Sequence, residues 1–105
     1  MTFEELIKVL KSDVMKKNTC IEINFSVENN SEFKDCWLGK LLYENEEKYW
    51  YGLDEDGSKT YEYFNLDDLI NAKVFNDKSI IDIFQHIIWK SLDGCDVKEL
   101  LQFYI

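Results

Sequence analysis

The residue types that most often carry out chemistry are sparse in this chain of 105 residues. His86 is the sole histidine, and no second histidine or cysteine lies near it at the spacing of a metal site. Three cysteines, Cys20, Cys36 and Cys95, form no C-x-x-C pair, which is typical of reduced thiols in a cytoplasmic protein. The sequence therefore predicts no catalytic residue, no metal and no cofactor. A small enzyme or metal site around His86 is an alternative hypothesis.

One acidic turn resembles part of a calcium-binding loop. Asp54, Asp56 and Gly57 match the D-x-D-G core of an EF-hand. With Gly57 at the invariant glycine position, however, the first and last ligand positions fall on a glycine and a tyrosine, which carry no carboxylate. A three-residue hairpin loop ending in a left-handed Gly57 fits the same residues. The pattern therefore predicts a β-hairpin over residues 49–64.

The register of this hairpin decides which side chains share a face. It pairs Tyr49 with Tyr63 and Tyr51 with Tyr61, and it places Trp50 and Glu62 on the opposite face. If the tyrosine face is exposed, it is an aromatic patch in an acidic field, and the predicted partner-binding residues are Tyr49, Tyr51, Tyr61, Tyr63, Asp54, Glu55 and Asp56. The alternative is that the tyrosines pack beneath the N-terminal helix. Glu62 opposite Trp50 indicates that the second face is at least partly in contact with water.

The charge of the chain is unevenly distributed. The formal net charge is −9, all 12 basic residues are lysine, and residues 21–68 hold four lysines against thirteen acidic residues. Such a field repels nucleic acid, and the lack of arginine removes the bidentate clamp for phosphate. It raises the encounter rate with a basic protein partner. Solubility alone is the other interpretation of this charge.

Local patterns predict a single α+β domain over residues 1–105. Thr2 with Glu5 forms a capping box before an amphipathic helix whose apolar spacing extends to Val14, and residues 20–27 and 34–43 are typical of strands. Helix starts are predicted at the caps Asn65, Ser79 and Asp96. Residues 87–92 fit either helix or strand. The expected fold is an N-terminal helix, an antiparallel β-sheet of about four strands and C-terminal helices.

These features together predict a non-enzymatic, cytoplasmic, acidic protein-binding domain with a basic protein partner. Bacterial immunity proteins, which are small acidic domains that neutralise a basic toxin, are one such kind by analogy of charge and size. The alternative is a self-associating structural or regulatory subunit, a homo-oligomer that buries the tyrosine face. No binding to nucleic acid or membrane is expected, since no apolar run is long enough to cross a bilayer.

Overall fold

A computed structural model of the chain describes residues 1–12 and 20–104. Its centre is an antiparallel sheet of five strands in the order β4-β3-β2-β1-β5. The strands are β1 (Cys20–Val27), β2 (Cys36–Tyr43), β3 (Glu46–Gly52), β4 (Thr60–Tyr63) and β5 (Ile87–Leu92). The α+β prediction is confirmed, with one strand more than the expected four.

Four α-helices flank the sheet in the described residues: α1 (Phe3–Lys11), α2 (Leu66–Asn71), α3 (Ile80–Ile83) and α4 (Val97–Leu101). Each predicted cap is confirmed, because the side chains of Thr2, Asn65, Ser79 and Asp96 accept backbone N–H groups of the first turn. The helix α1 ends at Lys11, earlier than the apolar spacing predicts, and Val14 lies outside the described residues.

The ambiguous residues 87–92 form strand β5. A 3₁₀ turn, Phe84–His86, follows α3 directly, and Ile87 then takes an extended conformation with φ −83° and ψ 132°. β5 pairs with β1, where the rings of Phe25 and Trp89 lie 5.9 Å apart between centroids. Tertiary pairing therefore decides a segment whose local pattern fits both states.

The two faces of the sheet differ sharply in burial. One row of side chains crosses all five strands on the buried side, hereafter the inner face: Leu92, Ile23, Leu38, Tyr51 and Tyr61. The first four are fully buried or nearly so, with 0% of their surface exposed. The opposite side, hereafter the outer face, has a parallel row formed by Glu22, Gly39, Trp50 and Glu62. The alternation of β1 fixes which side is which.

Gly39 marks a close approach between two strands of the sheet. A Cβ atom at this position would lie 1.9 Å from the backbone oxygen of Ile21 in the neighbouring strand. The register shift of the sheet lies elsewhere, between Asn24 and Phe25 where β1 meets β5. Only glycine therefore fits the centre of β2 without moving the backbone of β1.

Candidate functional site

The hairpin that joins β3 and β4 has the predicted register. Tyr49 pairs with Tyr63 and Tyr51 with Tyr61, and Gly57 takes a left-handed φ of 81°. These pairings confirm the hairpin prediction and place the acidic residues in the connecting loop.

Two of the acidic loop residues hold the turn together. Asp54 accepts hydrogen bonds from the Ser58 hydroxyl and from the backbone N–H of Lys59. Asp56 accepts the backbone N–H of Ser58 at 2.9 Å, which holds the pKa of Asp56 below its usual value. Glu55 is exposed at the tip of the loop. Asp54 and Asp56 thus have a local structural role, whatever else they contact.

The tyrosine face of the hairpin turns inward, and this corrects the expectation for Tyr51. Its side chain is 0% exposed, and its hydroxyl donates a 2.9 Å hydrogen bond to the backbone oxygen of Leu69 in α2. The ring of Phe75 meets it edge-on at 5.4 Å. Burial raises the pKa of Tyr51 well above its usual value. A partner cannot reach this residue in the folded domain, because α2 and the ring of Phe75 lie against it.

The other three tyrosines of the inner face lie at its margin. Tyr49, Tyr61 and Tyr63 are half-buried and pack against the core. The Tyr49 ring carries the ammonium of the buried Lys40, 5.4 Å from its centroid. The partner-binding role predicted for these three remains a prediction, although most of their contact is with the core.

A series of exposed or half-buried aromatic side chains lies instead along the outer face. It consists of Trp37, Tyr43, Trp50 and Phe64, and these four residues are hereafter the aromatic face. Trp37 is 37% exposed, Tyr43 57% and Phe64 71%. Large exposed aromatics in one region are uncommon on a small protein surface and are typical of interaction sites.

Trp50 occupies the middle of the aromatic face and rests on two glycines. A Cβ at Gly39 would lie 3.1 Å from Trp50 Cζ2, and one at Gly52 would lie 3.7 Å from Cζ3. The indole Nε1 is shielded from solvent and has no hydrogen-bond partner in the described part of the chain. An unpaired buried donor costs about 1–3 kcal/mol. Because Gly39 and Gly52 have no side chains, the indole of Trp50 lies directly on the backbone of the sheet.

The charged residues around the aromatic face differ in whether they already have a partner. The Lys48 ammonium lies over the rings of Tyr43 and Phe64, at 5.2 and 5.5 Å from their centroids. Glu46 and Glu62 are exposed on the same side, and neither has a salt bridge among the described residues. The lysine is thus shared between two rings, whereas both carboxylates remain available.

Sequence reasoning identified the hairpin but left open whether its tyrosine face is exposed, and it did not identify the exposed aromatic side chains of the outer face. The usable signal was the row that contains Glu22, Trp50 and Glu62, because Glu22 is on the polar side of β1. Following the pairing from β1 through β2 would have placed Trp50 outside and Tyr51 inside. This requires the register of β2 with β3, in which Leu38 pairs with Tyr51.

His86 lines a separate pocket of about 360 Å³ at the end of β1. Phe33, Phe75 and Ile83 form part of its apolar wall, and the His86 Nδ1 lies 3.7 Å from a carboxylate oxygen of Glu28. Both members of this pair are 52% exposed. In the described residues, no group of three or more metal-ligating side chains surrounds His86 or any other position.

The three cysteines are free thiols in different surroundings. Cys36 is buried, and burial raises its pKa to about 11. Cys20 is partly buried, and burial together with Glu22 raises its pKa. Cys95 is exposed before α4. A thiol with a raised pKa is a poor nucleophile at neutral pH, so Cys36 and Cys20 are unsuited to that role.

No helix in residues 1–12 and 20–104 has the length and apolar character needed to cross a bilayer. The chain matches no family model, no curated protein and no solved structure.

Proposed function

We propose that this chain is a non-enzymatic protein-binding domain that engages a basic protein partner through the aromatic face. The observation that supports the proposal is the juxtaposition of exposed aromatic rings with unpaired carboxylates. Phe64 is 71% exposed, and the unpaired Glu62 lies two residues before it. Aromatic anchors supply binding energy, while the carboxylates steer a basic partner. An immunity or inhibitor protein acting in the cytoplasm against a basic target is the kind of protein that this surface suits.

The charge balance argues against nucleic acid as the occupant of this surface. Stacking of bases on aromatic side chains requires a cationic groove that follows the phosphates. Lys48 is the single lysine of β3, and Lys90 on the outer face is paired with Asp35 at 2.6 Å. Among the described residues of strands β1 to β4, the outer-face carboxylates of Glu22, Glu46 and Glu62 outnumber Lys48, an outer-face lysine without a salt bridge.

The test is capture of a partner followed by measurement with purified proteins. Immobilised chain is used to isolate binding proteins, which are identified and then purified for titration by calorimetry. We expect a basic partner whose affinity falls by about tenfold or more in the double variant Trp37→Ala/Phe64→Ala, as for loss of aromatic anchors. Raising the salt concentration should weaken binding as well.

Ile81→Ala is the matched control, since Ile81 is a 49% exposed apolar residue on α3, away from the aromatic face. This variant should bind as well as the wild type. An acidic partner, or a basic partner whose affinity is unchanged by Trp37→Ala/Phe64→Ala, would contradict the proposal. So would strong concentration-dependent dimerisation in light scattering that the same double variant abolishes, because the occupant would then be a second copy.

A small-molecule site in the His86 pocket is the second candidate function. The pocket volume of about 360 Å³ falls at the lower end of the range for ligand sites, and Glu28 and His86, 3.7 Å apart, offer polar groups to a ligand. Fragment screening by NMR, with His86→Ala as the comparison, tests this candidate. Elemental analysis of the purified protein tests the metal version of the same site.

A further inference from the structure

The two edge strands of the sheet differ in how well they are protected from a further strand. β5 lies beside the register shift at Asn24/Phe25 and carries Lys90, and both features discourage strand addition. β4 (Thr60–Tyr63) is protected by its shortness alone, at four residues, since it contains no lysine and no proline and its pairing with β3 has no register shift. In the described part of the chain β4 pairs with β3 alone. Every second residue of β4 therefore directs its backbone N–H and C=O groups away from the sheet.

The segment around β4 is strongly acidic. Residues 53–68 contain one lysine, Lys59, which is in a 3.0 Å salt bridge with Glu32. They also contain six acidic residues: Asp54, Glu55, Asp56, Glu62, Asp67 and Asp68. Of these, Glu62 is in the strand itself and is exposed. The open backbone edge thus lies in a negative field that attracts a cationic segment.

A shallow depression of about 520 Å³ adjoins the end of β4. It forms because β3 begins at Glu46, three residues before the first β3–β4 pair at Tyr49, so that the chain after Tyr63 turns away and leaves a gap. The exposed carboxylate of Glu46 lines it beside the ring of Phe64, which lies 5.5 Å from the Lys48 ammonium. Tyr49 and Glu47 also line it, and both already contact the ammonium of Lys40. Rings together with carboxylates are the groups that hold a lysine or arginine side chain.

We propose that β4 receives an extended basic segment of the partner protein as a sixth strand of the sheet. The backbone of the segment pairs with the open edge of Thr60–Tyr63, and one of its basic side chains enters the depression beside Phe64. Strand addition of this kind takes its affinity from main-chain hydrogen bonds and its selectivity from side-chain contacts. The inference rests on the proposed function, because it specifies how the basic partner approaches the aromatic face.

A second copy of this chain is a poor occupant of the edge. Pairing of β4 with another β4 brings two acidic segments side by side, and like charges on neighbouring strands are destabilising. A basic segment replaces that repulsion by attraction. Charge therefore favours a basic partner over self-association at β4.

The test uses a synthetic octapeptide, acetylated and amidated, in which lysine alternates with valine and threonine. Two control peptides have the same sequence but are N-methylated at every odd or at every even position, which blocks main-chain pairing along one side only. In ¹⁵N-edited NMR titrations of the whole chain, the unmethylated peptide should shift the amides of residues 60–64 more than those of β5. One methylated peptide should lose about tenfold or more in affinity, and the other should retain it.

Protein variants test the acidic contribution. Glu62→Gln should weaken binding of the unmethylated peptide by about threefold, whereas Glu99→Gln on α4 should leave it unchanged. Equal binding by all three peptides, no binding by any of them, or larger shifts at β5 would overturn strand addition at β4. Shifts of residues 60–64 that depend on the concentration of the protein alone would make a second copy the occupant and would overturn it too.

Failure here is distinct from failure of the proposed function. If partner affinity depends on Trp37 and Phe64 while both methylated peptides bind normally, strand addition is wrong and the aromatic face is still the partner site. If one methylated peptide fails selectively while Trp37→Ala/Phe64→Ala leaves partner binding unchanged, β4 binds basic strands and the proposed role of the aromatic face is wrong.

Discussion

The two faces of strand β3 both bear aromatic side chains, but these side chains have different surroundings on each face. Tyr51 on the inner face is fully buried, donates a hydrogen bond to Leu69 and contacts the ring of Phe75. Trp50, one residue earlier, lies on two glycines on the outer face and has no acceptor for its Nε1 in the described residues. Aromatic content alone therefore does not indicate a binding surface. The partners of each ring distinguish a core residue from a surface residue.

The largest expected effect on the free energy of unfolding comes from removing the buried ring of Tyr51 on the inner face. Tyr51→Ala removes a ring that fills the space between β3 and α2, so the free energy of unfolding should fall by about 3–5 kcal/mol. Trp37→Ala on the outer face should cost less than about 1 kcal/mol, because its side chain is partly in water. Urea denaturation followed by circular dichroism measures both.

Tyr51→Phe provides the comparison if Tyr51→Ala does not fold. It keeps the ring and loses only the hydrogen bond to Leu69, so it should cost about 1 kcal/mol. Equal losses of stability for Trp37→Ala and Tyr51→Ala would show that the outer face belongs to the core and would remove the contrast between the two faces.

The two glycines under Trp50 should respond differently to a methyl group. Gly39→Ala places Cβ against the backbone oxygen of Ile21 and should cost about 1–3 kcal/mol through displacement of β1 or β2. At Gly52 the nearest atoms to a Cβ are ordinary contacts at 3.7 and 3.9 Å, so Gly52→Ala should change stability by less than about 0.5 kcal/mol. Thermal unfolding of the matched pair checks this, and the reverse order would contradict the close approach at Gly39.

Lys40 is a charged residue at a buried position of the inner face, where an apolar residue is expected from the sequence. It is 3% exposed, forms a salt bridge with Glu47 and donates to the backbone oxygen of Ser12 at 2.9 Å. Lys40→Met keeps the packing of the stem and loses these bonds, so it should cost about 1 kcal/mol by urea denaturation. Lys48→Met on the outer face is the matched control and should be close to neutral; a larger loss at Lys48 than at Lys40 would contradict the assigned faces.

The smallest expected effect is on the free energy of unfolding at alkaline pH, which depends on the burial of Tyr51 on the inner face. Burial raises the folded-state pKa of Tyr51, whereas in the unfolded chain a tyrosine ionises near pH 10. The neutral phenol therefore contributes stability that is fully present below about pH 10 and is lost as the pH rises above it. Tyr51→Phe should reduce the loss of stability between about pH 9 and 11, measured by urea denaturation at each pH. An unchanged slope would show that Tyr51 ionises freely in the folded protein.

Much of the fold was predictable because its determinants are local. The capping residues Thr2, Asn65, Ser79 and Asp96 begin helices as predicted, and the hairpin loop with Gly57 fixes its own register. The start of α2 and the strand β1 likewise follow from caps and alternation. Local rules of this kind need no knowledge of the rest of the chain.

The orientation of the hairpin was not predictable from local patterns, because the polarity of the side chains of β2 does not match the burial of its two faces. Its outer-face positions include Trp37, Leu41 and Tyr43, whereas its inner-face positions include the lysine Lys40. The buried charge becomes acceptable only through Glu47, which lies across the turn between β2 and β3, and through the backbone oxygen of Ser12, which is 28 residues away in the sequence. Helix α2 covers Tyr51 for a similarly long-range reason. The aromatic face was therefore missed, although its hairpin was identified.

Hydroxyl-radical footprinting with mass spectrometry, on the free chain and on its complex with the captured basic partner, tests the central claim most directly. The account predicts that Trp37, Tyr43 and Phe64 are oxidised in the free protein and protected in the complex, while Tyr51 is unreactive in both. Oxidation of Tyr51 at the rate of Tyr43 in the free protein, or unchanged oxidation of Trp37 and Phe64 in the complex, would contradict it.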